Sequence, residues 1–514
     1  MTVTSFSFFL FLLAGVILYY FLPGKMQWIA LLAMSVVFYI LATKPYSILF
    51  LLFSTFVAYS STLYITQNRG KENKIKTVTI VAIISVILNI IIWFLLKGSS
   101  FWEDGSLLIA KIIPSFPILG PLPFAGALGM GYYTAQVIGY ILDVLWGNAE
   151  AQRDPIKLFL FICFFPQLTV GPISRYNDLK ILFHTHKFSY SNLCLGTQRI
   201  VWGLFKKLVI ADRLAIIVNA IWADTDVFFG VWPWIAVFIY PLQLYTDFSG
   251  CMDIVLGAAE LFDIHLAENF KNPFFSRNSQ EFWRRWHITL GSWARDYVFY
   301  PFMKSRWMIR FGKKCKNRFG KRWGKFIPWS ISMAVLWFVM GFWHGSVRHI
   351  FGVSLWFWTA LFLSELCLPV TNKITHILEV KVESFSWHLF QSLRTYFVYA
   401  LGVIFFSATS LNGAIRHYSI LLSTLTELNR WSIAKSIFLQ LGVKYQDIFI
   451  LILGLSTLLI VDILREKKTY ARWWMSKQCV GFRWMVWLYL FFSVILFGVY
   501  GGGYSASTFI YQGF

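Results

Sequence analysis

Two histidines stand in settings that could do chemistry. His344 lies in Met340-Gly341-Phe342-Trp343-His344-Gly345, at the far end of an apolar run, and His287 closes Glu281-Phe282-Trp283-Arg284-Arg285-Trp286-His287. An imidazole changes charge near neutral pH, so it can take a proton from an attacking hydroxyl and return it to a leaving group. A plainer reading stays open for both, since a single buried histidine is more often a hydrogen-bonded core residue than a base. Asp247 and Asp253 sit in the otherwise apolar Gln243-Leu244-Tyr245-Thr246-Asp247-Phe248-Ser249-Gly250-Cys251-Met252-Asp253. They could serve catalysis, although ion-paired structural roles fit that setting better. Phe165-Pro166-Gln167-Leu168-Thr169-Val170-Gly171-Pro172 reads as a helix ended by prolines and glycine. Over residues 281–297 aromatic and arginine side chains recur at helical spacing, which predicts an interfacial amphipathic helix with tryptophan at headgroup level.

These polar residues are informative because the chain that carries them is apolar. Of 514 residues 57% are hydrophobic and 14% charged, against about a quarter charged in a soluble domain. A polar side chain in lipid costs a few kcal/mol or more unless it faces protein or water. Apolar runs of bilayer-spanning length, roughly 17–25 residues, predict helices near 5–22, 27–43, 47–66 and 78–97. The stretch 98–131, broken by Pro114, Pro117, Pro121 and Pro123, reads as loop mixed with partly inserted helix. Further apolar segments cover 132–146 and 158–170, a weaker 195–222 interrupted by Lys206, Lys207, Asp212 and Arg213, and 231–244. Then come 329–343, 350–368, 396–410, 448–463 and 485–500. The expectation is an all-α polytopic protein with about 11–13 spans. Residues 1–514 read as a single membrane-embedded domain, with 485–514 as its C-terminal helix and tail. No Lys or Arg precedes the first run, which reads as a retained helix and not a cleaved leader.

The net charge of +22 is concentrated. Residues 304–325 hold ten basic side chains and no acidic one, and 69–76 and 465–477 are also basic. That distribution fits cytoplasmic loops touching anionic membrane lipids better than nucleic-acid binding. With those loops inside, both termini fall outside, and the chain is expected in the plasma or inner cell membrane. His344 lies 15 residues beyond Trp329, roughly 22 Å along a helix, and so in the outer half of the bilayer. The six cysteines are scattered without a CxxC pair, so neither a disulfide framework nor a metal site is expected.

The motif stretches resemble the membrane-bound O-acyltransferase family, in its bacterial branch that modifies cell-surface polymers by alginate or peptidoglycan O-acetylation or teichoic-acid D-alanylation. The stretches that carry the resemblance are Tyr132-Tyr133-Thr134-Ala135-Gln136 with Asp143-Val144, Phe165-Pro166-Gln167 with Gly171-Pro172, Tyr245-Thr246-Asp247-Phe248-Ser249-Gly250, Phe282-Trp283-Arg284-Arg285-Trp286-His287 and Trp343-His344-Gly345. They occur in the family's order over most of the chain. The resemblance implies a ring of helices around a central tunnel from the cytosol and a funnel from outside. It makes His344 the catalytic histidine and His287 the second histidine of the site. Relatives often carry another histidine shortly after Trp-His-Gly; His349 is the nearby one here, its spacing departs from the pattern, and it is given no role. The ending Phe509-Ile510-Tyr511-Gln512-Gly513-Phe514 resembles the F-x-Y-x-x-F ending of the D-alanylation system's small subunit, which implies that Tyr511 accepts the acyl group transiently. By itself the same ending is a frayed aromatic tail.

On this reading His344 is the general base and Tyr511 an acyl relay, while His287 shapes the donor passage. Arg284 and Arg285 meet the donor's phosphates, a role that structural pairing at the cytosolic face rivals. Acetyl-CoA is the expected donor, because the fused tail and the length fit acetylating relatives. The expected partners are membrane lipids, an extracytoplasmic acyl-accepting protein and a polysaccharide acceptor, with no nucleic acid and no metal. Rival readings are D-alanyl transfer to teichoic acid, a lipid-modifying acyltransferase of the same superfamily, and a polysaccharide flippase or transporter. A transporter predicts inverted repeats or paired broken helices, and the sequence shows no internal repeat.

Overall fold

The computed structural model describes residues 1–97, 106, 109–110, 113–115, 117, 128–428, 438–469 and 471–500. Tyr511 and the rest of the 501–514 tail lie outside the described residues. Among those described, the regular structure is helical, and β pairing is confined to one isolated bridge between Phe270 and Trp286. Eight helices are long and apolar enough to cross a membrane: Gly24–Ala42, Pro45–Asn68, Glu72–Leu96, Arg306–His344, Arg348–Leu366, Phe385–Ser407, Tyr445–Glu466 and Val480–Phe497. A shorter apolar helix covers Phe6–Phe21. The polytopic all-α architecture is therefore as the sequence predicts.

The helices turn their bulky apolar side chains outward. Ile75–Lys97 exposes Ile80, Ile83, Ile84, Ile87 and Ile91, and buries Val78, Ala82, Ser85, Asn89, Trp93 and Leu96 at successive turns. Ser85 and Asn89 are affordable inside because each donates to a carbonyl one turn back, Val81 O at 2.8 Å and Ser85 O at 2.9 Å. Lipid is as apolar as leucine, so isoleucine loses nothing on the outer face, and small or polar groups supply the helix contacts.

The described chain divides into two compact units. The first holds Met1–Ile200 and Cys251–Glu268, and the second Val201–Gly250 and residues 269–500. In the first, Phe8, Phe11, Phe38, Phe165 and Phe262 build an aromatic core with ring centroids 5.5–6.1 Å apart. The expected 158–170 span is two short helices, Pro155–Cys163 and Phe165–Val170, because Pro166 cannot donate a helical hydrogen bond. The weak 195–222 segment is also composite: Tyr190–Leu204, a wider π-type turn over Phe205–Ala211 and Asp212–Ala223 follow one another. The predicted 231–244 segment extends to Trp232–Glu260.

Two further expectations are corrected. The basic 304–325 run is helical and not a loop. Arg306–His344 is two helices meeting at Gly320, whose φ of 86° and ψ of 174° are open only to glycine. They fold back antiparallel, since a Cβ at Gly312 would lie 3.2 Å from Pro328 Cγ and one at Gly324 2.5 Å from Lys316 Cβ. Lys and Arg are good helix formers, and here they line the exposed side while Met308 and Cys315 are buried. The second correction concerns 281–297. The helix Ser279–Arg285 stops at Trp286, and Ile288–Ala294 starts afresh after His287.

Candidate active site

The segment around His287 is held by its neighbours in the 269–272 stretch. His287 takes left-handed backbone angles, φ 46° and ψ 53°, which a helix interior would not allow. The reversal is clamped by Lys271 N–H donating to Arg285 O (2.9 Å) and Ile288 N–H donating to Asn269 O (3.0 Å). Asn269 Oδ1 also accepts from Thr289 N–H and Thr289 Oγ1–H, at 2.9 and 2.7 Å. The His287 ring is thereby laid edge-on against Phe248, with centroids 4.8 Å apart. His287 is 4% exposed and lies outside the eight membrane-length helices. Burial pushes its imidazole down to about 3, so it is neutral at physiological pH.

His344 is the last residue of its helix. Gly345 closes the helix in the left-handed conformation (φ 82°), its N–H donating to Phe342 O at 2.9 Å. Trp343 bridges the two histidines, its ring centroid 6.1 Å from that of His287 and 4.9 Å from that of His344. Thus Tyr245-Thr246-Asp247-Phe248-Ser249-Gly250, Phe282-Trp283-Arg284-Arg285-Trp286-His287 and Trp343-His344-Gly345 supply one aromatic cluster, through Phe248, His287, Trp343 and His344. His344 is 8% exposed.

The sequence gives His349 no role by its spacing, and only the fold shows where it lies. The chain reverses after Gly345 and returns His349, wholly buried, to within 5.1 Å of His344 between ring centroids. The available signal was an imidazole four residues past a helix-ending glycine.

The carboxylates of the third motif are ion-paired. Lys207 Nζ lies 2.6 Å from Asp247 Oδ1 and 2.8 Å from Asp212 Oδ1, with all three side chains at least 95% shielded. Lys206 Nζ donates to Ser249 Oγ at 2.9 Å. Asp253 pairs with Arg199 at 2.9 Å. The two glutamines of the earlier motifs also have structural partners. The break at Phe164 leaves Phe161 O without its helical donor, and Gln136 and Gln167 both donate to it, at 2.9 and 3.0 Å.

Arg285 lies between Glu281 (2.6 Å) and Glu466 (2.7 Å), whereas Arg284 is exposed. Among the described residues no group of three or more His, Cys, Asp or Glu side chains is placed to hold a metal ion.

Several known proteins are similar to this chain in sequence. The chain is 30% identical over 311 residues to a probable alginate O-acetylase of Pseudomonas syringae, covering 60% of this chain and 54% of that protein. It is 30% identical over 246 residues to a peptidoglycan O-acetyltransferase of Helicobacter pylori, 43% of this chain and 44% of the relative. It is 29% identical over 274 residues to a teichoic acid D-alanyltransferase of Bacillus subtilis, 48% of this chain and 64% of the relative. The chain thus spans about half the length of the first of these relatives. The model of the MBOAT, membrane-bound O-acyltransferase family matches residues 36–314, more than half of the chain and inclusive of His287 and the aromatic segments that hold it. With that match added to the many apolar spans, the chain belongs to the membrane-bound O-acyltransferase family.

Proposed function

We propose that this protein transfers an acyl group, acetyl foremost, from a cytosolic thioester donor to a cell-surface or secreted polysaccharide, with His344 as general base. The observation that carries the reading is the placement of His344 at the very end of a membrane-length helix, linked through Trp343 to His287. The names of the alginate and peptidoglycan relatives support acetyl over other groups. The name of the Bacillus relative keeps D-alanyl transfer as the second reading.

In the reaction the hydroxyl oxygen of the acceptor bonds to the thioester carbonyl carbon while His344 takes its proton. The C–S bond then breaks, and the proton passes to the departing thiolate. Tyr511 is the proposed first acceptor: a phenol ionises near pH 10, more readily than a sugar hydroxyl, and its ester stays activated for a second transfer. An extracytoplasmic partner collects the group for the polymer. His287, neutral and edge-on to Phe248, shapes the passage and moves no proton. Arg284 is the side chain offered to phosphates of acetyl-CoA. Arg285, held by Glu281 and Glu466, fixes the segment that carries it.

Incubating the purified protein with acetyl-labelled acetyl-CoA tests this. Label is expected on Tyr511 and absent in His344→Ala, with polymer acetylation in cells lowered about 10²- to 10⁴-fold. Wild-type acylation by His344→Ala would overturn the base assignment. Label on a different side chain would remove only the Tyr511 step.

A further inference from the structure

We propose that His349 is a positioning residue for His344, and that with Ser346 it forms a built support fixing the plane of the base. The inference rests on the reading of His344 as general base. His349 is 0% exposed and sits in a wide π-type turn, Arg348–Val353, directly after the helix-ending reversal. Such turns tend to mark functional segments. Its ring lies 5.1 Å from that of His344, tilted by 31°. Phe406 packs against both rings, edge-on to His344 at 5.2 Å and against His349 at 4.7 Å. With Trp343 at 4.9 Å, the base is gripped on three sides.

The support is itself anchored. Ser346 Oγ and His349 Nδ1 share a hydrogen bond of 2.5 Å, which settles which ring nitrogen of His349 faces the hydroxyl. Ser354 Oγ–H donates to Trp337 O (2.7 Å) and lies 3.1 Å from His349 O, joining the turn to the helix that ends in His344. Gly341 leaves the space that Ser354 Oγ and His349 O occupy. His344 Nδ1 and His349 Nε2 are both shielded from solvent.

A general base must offer a lone pair to the hydroxyl while its other nitrogen keeps its proton. It must then tolerate positive charge when the hydroxyl proton arrives. A second imidazole in ring contact, oriented by a serine, holds the base's ring in place for the first of these without touching substrate. The helix C-terminus, whose carbonyls favour a cation, helps with the second. Phenylalanine at 349 would keep the packing and remove the nitrogens.

The test compares His349→Phe, Ser346→Ala, His344→Ala and the His344→Ala/His349→Phe double variant in acyl transfer from acetyl-CoA. His349→Phe is expected to keep the wild-type melting temperature and donor KM and to lose up to about 100-fold in kcat, the scale of a misplaced catalytic group. Ser346→Ala should lose less, and the double variant should be no slower than His344→Ala alone. Full kcat in His349→Phe, a loss confined to KM, or a loss that multiplies onto His344→Ala would each overturn the positioning role. If His349→Phe fails to fold, Ser346→Ala carries the same kcat and KM test. Wild-type activity in His344→Ala would sink the base assignment together with this inference. An inactive His344→Ala beside a fully active His349→Phe would sink the inference alone.

Discussion

An imidazole is buried most cheaply when neutral, and His287 has its ring against Phe248 and Trp343 in a segment almost closed to solvent. Its folded value of about 3 lies below the 6.5 of an exposed histidine. The unfolded chain therefore binds a proton below about pH 6.5 that the folded chain refuses until about pH 3. The stability this site contributes is complete above pH 6.5 and drains away as pH falls through that window. His287→Gln, neutral at every pH, should show a shallower fall in melting temperature between pH 7 and 4.5 than the wild type. Parallel profiles would show that the residue is solvated or protonated in the native state. At this scale the residue types were legible in the sequence and their partners were not. Asp247 could be read as ion-paired, but that its counter-ion is Lys207, forty residues earlier and shared with Asp212, required the fold.

At the scale of elements, the antiparallel basic hairpin depends on one backbone conformation. Gly320 occupies a region closed to other residues, and no atom lies within 4 Å of where its Cβ would stand. Gly320→Ala therefore meets no clash and carries only the backbone penalty, about 1–3 kcal/mol. Detergent-solubilised protein should melt measurably earlier, and an unchanged melting temperature would mean that the two helices join in another way. Charge density suggested a loop in 304–325 because in a membrane protein charges are sought between spans. Local propensity favoured helix, and the packing of Gly312 on Pro328 gave it a surface to lie on. In 281–297 the reverse occurred. Helical spacing was present, yet the hydrogen bonds from Asn269 and Lys271 pulled Trp286 and His287 out of the helix.

At the scale of the molecule, the eight membrane-length helices among the described residues and the concentration of positive charge define a multi-pass protein, and the proposed orientation places the basic hairpin in the cytoplasm. In a cysteine-free background, Lys313→Cys should react with a membrane-impermeant maleimide only after the membrane is permeabilised. Reaction in intact spheroplasts would invert the topology and with it the proposed side of the donor. Among the described residues, broken segments such as Pro155–Cys163 with Phe165–Val170 look continuous in composition and so read as single spans in the sequence.

The sequence by itself determined the solvent and the parts: apolar runs long enough for lipid, basic stretches between them, and two histidines in aromatic settings. Those follow from side-chain transfer energies and local spacing, which need no knowledge of what lies opposite. Only the tertiary structure decided that Trp343 joins His287 to His344 and that His349 is folded back onto the proposed base. Such contacts are set by where the chain reverses: at His287, clamped by hydrogen bonds to the distant Asn269 and Lys271, and after Gly345, where Ser354 ties the returning turn to Trp337 O.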